Sequence, residues 1–563
     1  MSVVALLLLI AGRWQSGATD SLSVLKSARR AQETFEFTRR AHLPERPSGS
    51  NGALYQIIGR IRYWYEGGDE EDSAPPEPRP IREARARLLA ALGDASAALP
   101  GDEWIAGQRV RYLLEDSQPS VAAQVVEQCR AVQWWCEALG GLVRHVTGDF
   151  AGADSVFALA LADMPDDERC RWSDVSALLE GELASRYRQL DCAGRAAFER
   201  RWWWLAQPLY SLPANDRRTE HLARQTMVRI EQGRRTTFGL YWENDLRDVL
   251  LRYGWPTWWT REPPSSLLLQ SEPSITGHDP SPAFGFAPGV RAFDEPASTK
   301  PEDWNLDPPQ ARERYAPGYA KAFGYLEHQV SVFRRADSCV VVAAYDLADD
   351  TLFADRPVTT ALALAADERI IAIARDSGTA AGARALTASA PCEPLVLSLE
   401  ATAPRERHAA RARYGITRPR PDGHPALSDL LLFDPPDSLP TTLEGVLPRA
   451  LGSTRLVAAR TLGVFWELYG VDPEQGAVAV SLTVTRQGGG WLRRAAESVG
   501  LASPRRDVQL QWEEVPEVPK VTPRALAVDA SGLAPGRYVI QVSVTPASGK
   551  TLTARREIVI GRR

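Results

Sequence analysis

The hydrophobic pattern of this chain changes once along its length, and that change limits the folds open to it. In residues 20–205, apolar residues recur at intervals of three and four, as in residues 81–92, which is typical of amphipathic helices. After Glu327, short β-branched runs separated by Pro, Gly and Asp replace that spacing. The sequence therefore predicts a multidomain α+β protein, with a helical N-terminal half and C-terminal tandem antiparallel β-sandwiches.

Length, composition and charge narrow the class of protein further. The chain has 563 residues, of which 44% are hydrophobic and 24% are charged, a balance that fits several folded domains. The net charge of −5 gives no sign of the clustered basic surface that nucleic-acid binding needs. We therefore expect no nucleic-acid partner.

The first residues predict export. Residues 3–11 are an apolar run of signal-peptide length, too short to span a bilayer, and Ser16, Gly17 and Ala18 offer small residues for cleavage. No Lys or Arg precedes the run, and a buried first helix is the alternative. No later stretch is long and apolar enough to span a membrane. The prediction is a signal peptide at residues 1–18 and a periplasmic, envelope-associated or secreted protein.

Six cysteines fit an oxidising compartment. They allow 15 disulfide connectivities, and no CxxC motif indicates a redox or zinc site. Four lie in the helical half and two in the β half, so pairing within each half is the simplest arrangement. Cys339 and Cys392 flank strand-like runs and could bridge neighbouring strands.

One helical segment is more specific than the rest. Gly148, Ala153, Phe157, Ala160 and Pro165 follow the second-helix half of a tetratricopeptide repeat, which this segment resembles. Upstream, residues 104–114 and 119–126 look like a second, degenerate helix pair. Such hairpins bury their faces by stacking, so residues 19–200 are expected to form a short repeat-like domain. It would serve either as a concave protein- or peptide-binding surface or as a packing scaffold.

The β half divides into two predicted sandwiches, residues 323–440 and 441–563. Residues 329–335 and 338–345 read as a hairpin, and similar runs recur to the end of the chain. In the last domain, Tyr538, Ile540, Val542 and Val544 should face the core, while the residues between them face outward. Residues 266–322 are rich in proline and poor in periodicity, and are expected to be an irregular connector.

The segment between the two halves carries a family resemblance. It runs from Trp203 and Trp204 through a helix with Asn, Glu and Arg to residues 241–256. Residues 201–265 resemble the GWxTD domain, a family of exported bacterial proteins of unknown function, at these motif positions: Trp242, Asp245, Val249, Tyr253, Gly254 and Pro256. Tyr241 and Asn244 depart from the motif. The resemblance implies no activity, and it implies that residues 249–252 are a buried strand.

Local catalytic motifs are absent from the sequence. HExxH, GxSxG, GxGxxG and a complete P-loop do not occur, and neighbouring histidines are never closer than 16 residues. A site assembled from distant residues stays open, and its candidates are His221, Asp245, His278, Asp279 and His328. We expect no metal and no cofactor.

These observations favour a non-enzymatic exported or envelope scaffold. In this hypothesis the helical half binds another protein or an envelope component, and the sandwiches act as spacers or docking modules. One alternative is a hydrolase with a site between residues 200 and 330, where Trp, His and acidic residues are concentrated. Another is carbohydrate binding by an exposed aromatic strip formed by Trp466, Trp491 and Trp512.

Overall fold

The computed structural model describes most of the chain. The described residues are 3–45, 55–58, 61–65, 74–262, 274–279, 281–307, 313–416, 425–471, 476–487, 506–516, 521–546 and 549–561. They form two compact units. The helical unit comprises Met1–Pro208, Leu212–Phe293 and Asn305–Lys321, and the β unit comprises Leu209–Ser211, Asp294–Trp304 and Ala322–Arg563. The predicted order of a helical half and a β half is confirmed.

The helical unit is built from α-helices of very different length. They are α1 (Val3–His42), α2 (Arg79–Ala98), α3 (Glu103–Glu115), α4 (Pro119–Glu127), α5 (Gln133–Val146), α6 (Phe150–Asp163), α7 (Asp166–Ser173), α8 (Gly181–Arg188), α9 (Cys192–Ala206), α10 (Asp216–Glu231), α11 (Asn244–Tyr253) and the start of α12 (Val290–Asp294). The run predicted as a signal peptide is continuous with α1, and its cleavage stays a prediction. Among the described residues, no helix is long and apolar enough to cross a membrane.

The predicted helix pairs are confirmed as α3–α4 and α5–α6. Gly148 has φ +82° between α5 and α6, and Asp149 caps α6 by accepting a hydrogen bond from the Gly152 amide. Phe157 is buried against Gly141, where an added Cβ would lie 2.6 Å from the ring. The absence of a side chain on α5 therefore lets α6 approach closely.

A small sheet in the helical unit corrects two predictions. Strands β1 (Tyr55–Ile58), β2 (Ile61–Tyr65), β3 (Trp258–Glu262) and β4 (Ser274–Asp279) are ordered β1-β2-β4-β3. The strand expected at residues 249–252 is wrong, because Leu246, Val249, Leu250 and Tyr253 follow helical spacing and form the buried face of α11. The strand follows later, as β3. The predicted connector also contains β4, whose residues 275–278 are all buried and so show no alternation.

The first sandwich of the β unit has two sheets. Its strands are β5 (Ala322–Tyr325), β6 (His328–Arg335), β7 (Ser338–Asp346), β8 (Pro357–Ala366), β9 (Arg369–Thr379), β10 (Ala383–Pro391), β11 (Leu395–Ala403) and β12 (His408–Ile416). One sheet has the order β10-β7-β6 and the other β5-β12-β11-β8-β9. All pairs are antiparallel except β5–β12.

Two short segments from earlier in the chain, Leu209–Ser211 and Asp294–Trp304, belong to the β unit. Glu400 of β11 is buried and accepts the backbone amides of Tyr210 and Ser211, at 2.7 and 2.8 Å. Arg413 of β12 lies over the Tyr210 ring, 3.7 Å from its centre. These contacts explain why Leu209–Ser211 groups with the β unit.

The second sandwich follows the same plan. Its elements are β13 (Ala426–Leu427), β14 (Leu431–Phe433), α13 (Leu443–Val446), β15 (Arg455–Leu456), β16 (Thr461–Tyr469), β17 (Val478–Gln487), β18 (Arg506–Glu514), β19 (Val521–Asp529), β20 (Gly536–Thr545) and β21 (Leu552–Ile560). One sheet joins β13, β14 and β19 to β16, and the other has the order β15-β21-β20-β17-β18. Because β13 and β14 pair with β16, the strands of this sandwich begin at Ala426.

The register predicted for the last hairpin is confirmed. Tyr538, Ile540, Val542 and Val544 are at most 2% exposed, while the intervening residues of β20 are half-buried. β20 pairs antiparallel with β21, as expected. Ala547 and Ser548, predicted for the turn, lie outside the described residues.

The two sandwiches share a core. Phe333 of the first packs with Leu431 and Phe465 of the second. The side-chain nitrogen of Gln329 donates to the backbone carbonyl of Leu432 at 2.7 Å, and the side-chain oxygen of Gln329 accepts from the backbone amide of Leu432 at 3.0 Å. The sandwiches therefore form one body and not two independent modules.

Three disulfides link the six cysteines within their own halves, as predicted. They are Cys129–Cys136, Cys170–Cys192 and Cys339–Cys392. The last joins β7 to the residue after its neighbour β10, which confirms the expected bridge between adjacent strands. This pairing is consistent with an exported protein.

Candidate functional site

The predicted histidines each have structural partners. His221 lies on α10, completely buried, with its ring centre 5.2 Å from that of Trp203. Burial, together with the nearby Arg217 and Arg224, holds the pKa of His221 well below its usual value. A buried imidazole kept neutral in this way is part of the core of the helical unit.

His278 and Asp279 lie at the end of β4. The His278 ring stacks on Trp258 with 3.7 Å between centres, and its Nε2 is 2.8 Å from the Thr260 hydroxyl. Asp279 accepts the backbone amide of Ser281, and burial raises the pKa of its carboxyl. These contacts fix the imidazole between two strands of the small sheet.

His328 and Asp245 lie in different units. His328 is on β6 in the β unit, where its Nε2 is 2.7 Å from the Tyr414 hydroxyl and burial lowers its pKa to about 4. Asp245 lies in the first turn of α11 in the helical unit, and its carboxylate accepts the Leu246 amide. Among the described residues, no group of His, Cys, Asp and Glu could hold a metal ion.

The structure adds His145, which sequence reasoning did not single out. Its Nδ1 lies 3.0 Å from the Thr219 hydroxyl and its Nε2 lies 2.6 Å from Glu220. Hydroxyl, imidazole and carboxylate in this order resemble an activated nucleophile. The Thr219 side chain is fully buried, however, and its hydroxyl donates to the Asp216 carbonyl. The arrangement therefore ties α5 to α10.

Glu220 and Arg224 extend this tie to the end of α11. Arg224 donates to Glu220 and to the backbone carbonyls of Leu251 and Arg314, at 3.0 and 2.9 Å. Burial would raise the pKa of Glu220, but Arg224 and His145 outweigh it and hold that pKa low. Gly254, a motif position, lies directly against the Arg224 guanidinium.

Replacing Gly254 by alanine should lower the free energy of unfolding by about 1–2 kcal/mol. Gly254 ends α11 with φ +85°, and an added Cβ would lie 3.4 Å from Arg224. Gly93, within α2, has open space around it, so Gly93→Ala should leave stability unchanged or raise it by about 0.5–1 kcal/mol. Urea unfolding of both variants checks this, and equal effects would contradict it.

The first turn of α10 holds a distant part of the chain. Asp216 accepts a hydrogen bond from the Tyr315 hydroxyl at 2.8 Å, and burial raises the pKa of Asp216 to about 6. Arg217 pairs with Glu313, whose other oxygen accepts the Phe286 amide at 3.1 Å. The first turn of α10 thus holds Phe286, Glu313 and Tyr315 within the helical unit.

The rest of α10 packs along the first helices of both hairpins. Leu222 and Ile230 share a core with Val110 of α3 and Leu139 of α5. The Gln108 side chain of α3 donates to the Ile230 carbonyl at 2.7 Å. The shared face of α3 and α5 is therefore filled by α10 itself.

A buried ionic cluster closes the other side of α10. It contains three carboxylates and three guanidinium groups: Glu36, Arg39, Arg111, Glu115, Glu231 and Arg234. Arg111 lies 2.9 Å from both Glu115 and Glu231. The cluster joins α1, α3 and α10 through these ion pairs, and burial raises the pKa of the Glu231 carboxyl to about 8.

An open cleft remains where α10 ends. It has a volume of about 200 Å³ and is lined by residues of α3, α5 and the end of α10: Glu103, Trp104, Gly107, Trp135, Arg229, Ile230 and Gln232. Glu103 and Arg229 form an ion pair at 3.0 Å on its rim. We call these residues the α3–α5 cleft.

A buried carboxyl on α9 makes stability depend on pH. Glu199 accepts the Tyr187 hydroxyl at 2.5 Å, and burial raises its pKa to about 7. A raised pKa contributes stability that is complete below the ordinary carboxyl pKa and is lost as the pH rises through about 7. The contribution of Glu199 to the free energy of unfolding should therefore fall by up to about 3 kcal/mol between about pH 4.5 and 7.

The matching variants are Glu199→Gln and Glu182→Gln. Glutamine is neutral at every pH and can still accept from Tyr187, so Glu199→Gln should make this slope shallower, and the slope that is left comes from other carboxyls with a raised pKa, such as Asp216. Glu182 on α8 is 58% exposed, and its variant should keep the slope of the unchanged chain. Melting temperatures of both variants measured across this pH range test the prediction. If Glu199→Gln shows the same pH dependence of stability as the unchanged chain, Glu199 is not the group that causes it.

The tryptophans proposed for carbohydrate binding do not form an exposed strip in the described residues. Trp466 is 1% exposed in the core of the second sandwich, and Trp512 packs half-buried beside that core. Trp491 lies outside the described residues. In the helical unit, Trp202, Trp203 and Trp204 are likewise buried.

Comparison with known proteins gives no family. No protein-family model and no curated protein match the chain. Among solved structures, a Bacteroides uniformis β-glucuronidase aligns with 40% of this chain and 26% of its own, at 6% identity and a TM-score of 0.17. A red sea bream transglutaminase aligns with 42% of this chain and 32% of its own, at 11% identity and a TM-score of 0.13.

A third solved structure is the tetra-tandem repeat in the extending region of a large adhesion protein. It aligns with 41% of this chain and 49% of its own, at 16% identity and a TM-score of 0.14. The matched regions thus span about a quarter to a half of these three chains. Similarity at such TM-scores carries no argument about function.

Proposed function

We propose that this chain is a non-enzymatic exported scaffold whose helical unit binds another protein or an envelope component. The α3–α5 cleft is the observation that carries this proposal. It combines the half-buried indole of Trp104 with a partly exposed Arg–Glu pair, and Trp and Arg are enriched among residues that dominate binding energy. The buried polar residues of α10 support a non-enzymatic role, because their hydrogen bonds and ion pairs join elements of the helical unit to one another.

The β unit would serve as a rigid spacer or docking module. Support comes from the core that Phe333, Leu431 and Phe465 share across the two sandwiches. The bidentate pair between the partly exposed Arg335 and the buried Glu467 adds a second connection. A spacer of two fused sandwiches would keep its ends at a fixed separation.

Export and the GWxTD relationship belong to the same proposal. The three disulfides support export, and the positive φ of Gly254 at the end of α11, beside Arg224, supplies a structural reason for glycine at that motif position. Mass spectrometry of the chain recovered from the periplasm should show a mature N-terminus following Ala18. Recovery of the uncleaved chain from the cytoplasm alone would contradict export.

Site-specific cross-linking in the full chain tests the division of labour. A photo-crosslinking residue at Gln232, on the cleft rim, should capture one specific partner in the native envelope. The same residue at Asp337 or Lys550, both exposed in the β unit, should not capture that partner. Capture of the partner from the β unit only would overturn the assignment of binding to the helical unit.

A further inference from the structure

We propose that the α3–α5 cleft binds one neutral sugar unit of an envelope glycan. This inference rests on the proposed binding function and names the chemistry of the envelope component. The accessible side chains of the cleft are mostly polar, since Glu103 and Arg229 are 39% and 37% exposed and Gln232 is exposed. A guest must therefore be able to form hydrogen bonds with a carboxylate, a guanidinium and a carboxamide.

A hydrogen-bonded row of three side chains forms the rim of the cleft. Arg229 donates to one Glu103 carboxylate oxygen at 3.0 Å and to the Gln232 side-chain oxygen at 3.3 Å. Among the described residues, no group donates to the second Glu103 oxygen, and none accepts from the Gln232 side-chain nitrogen. The rim thus offers an unused acceptor and an unused donor on side chains that Arg229 already holds in place.

Trp104 adds a further donor beside this row. The Arg29 guanidinium of α1 lies over the Trp104 ring, 5.4 Å from its centre, and helps to hold the indole in position. Within the part of the chain that the structure describes, the N–H of this half-buried indole has no acceptor. The cleft therefore combines donors with an acceptor, and hydroxyl groups suit such a lining because each of them both donates and accepts.

Buried residues close the floor of the cleft. Trp135 and Ile230 are each 2% exposed, and the Trp135 N–H donates to the Glu103 backbone carbonyl at 2.9 Å. An added Cβ at Gly107 would lie 2.9 Å from the Trp135 ring and 3.1 Å from Ile230, so α3, α5 and α10 converge closely there. The depression is therefore preformed, and a guest would contact mainly its polar rim.

The size of the cleft fits a single pyranose ring. Its volume of about 200 Å³ corresponds to about six water molecules. A guest gains affinity only if it reproduces the hydrogen bonds of the ordered waters that it displaces. A pyranose carries hydroxyl groups around its ring and can do so, whereas an apolar side chain would leave the rim groups without partners.

The rim also favours a neutral sugar over a charged one. Glu103 and Arg229 already compensate each other, so an acidic or basic guest would have to break their pair to gain a counter-charge. Hydroxyl groups can bond to the second Glu103 oxygen and to the Gln232 nitrogen while that pair stays intact. We therefore expect glucuronate and glucosamine to bind more weakly than a neutral glucoside.

The probes are the methyl glycosides of glucose, galactose and mannose and N-acetylglucosamine, each titrated into the full chain and followed by saturation-transfer NMR. At least one of them should bind, and cyclohexylmethanol, a ring with a single hydroxyl, should not. Gln232→Ala should weaken binding about three- to tenfold, and Gln232→Trp, which fills the opening, should abolish it. Gln189→Ala removes an exposed carboxamide elsewhere in the helical unit and should change nothing.

Three outcomes would overturn the inference: no binding of any of the four sugars, equal effects of Gln232→Ala and Gln189→Ala, or tighter binding of glucuronate than of the methyl glucoside. Circular dichroism confirms that each variant is folded before it is scored. The cross-link from Gln232 separates the two proposals. A protein partner captured there by a chain that binds none of the sugars leaves the binding function standing and removes only the saccharide.

Discussion

Replacing Arg217 by methionine is expected to lower the free energy of unfolding of the helical unit by about 3–5 kcal/mol. Arg217 and Glu313 are 0% and 1% exposed, and the Arg217 Nε lies 2.7 Å from the carboxylate. Removing the guanidinium leaves Glu313 buried without its counter-charge. The segment that Glu313 anchors through the Phe286 amide should loosen as well.

The neighbouring arginine is a matched control. Arg218 also pairs with a carboxylate, Asp154, but these side chains are 29% and 35% exposed. Arg218→Met should therefore cost at most about 1 kcal/mol. Urea unfolding followed by far-ultraviolet circular dichroism reports on the helices of both variants. Similar losses from the two substitutions would show that Arg217 is not the buried tie described above.

Replacing Trp466 by alanine should destabilise the β unit by about 3–5 kcal/mol. The Trp466 side chain is 1% exposed and lies in the second sandwich core with Val480, Leu482 and Val542. Truncation removes a large apolar surface and leaves a cavity that the paired strands around it can fill only in part.

Calorimetry of the full chain measures this loss as a lower melting temperature of the β unit. Trp512 on the edge strand β18 is half-buried against the same core, so Trp512→Ala should have a clearly smaller effect. Equal shifts in the two variants would contradict the placement of Trp466 at the centre of that core.

Local patterns predicted the elements whose partners are close in sequence. The α5–α6 hairpin followed from Gly148 and the spacing of Ala153, Phe157 and Ala160, since a turn and the next helix determine it. The β20 register followed from strict alternation between Tyr538 and Val544, because slipping by one residue would bury Gln541 and Ser543. These inferences needed no knowledge of distant contacts.

Other elements depended on contacts that the sequence does not display. The small residues of β8 and β12, such as Ala361 and Ala410, show little β preference and are buried by neighbouring strands, so the sequence does not mark these segments as strands. The strand expected at residues 249–252 is helical, where Val249 and Tyr253 share one buried face. The strand was expected from the resemblance to the GWxTD motif, although the helical spacing of these residues is visible in the sequence.

In the candidate site, too, contacts between residues close in sequence could be predicted and contacts between distant residues could not. The i, i+4 spacing of Glu220 and Arg224 on a helix was visible in the sequence, but their partner His145 lies 75 residues before Glu220. No local signal could have singled out His145. That α10 would cover the faces of α3 and α5 was equally hidden, because α10 carries many polar residues and its buried ones find partners far away in the chain.

Hydrogen exchange of the α10 amides in the native full chain tests the central claim most directly. If α10 permanently fills the face of α3 and α5, its amides should be among the slowest to exchange in the helical unit, and they should open only with its global unfolding. Exchange of α10 as fast as that of exposed loops, with α3 and α5 still protected, would contradict the account. The face of α3 and α5 would then be open to a partner along its whole length.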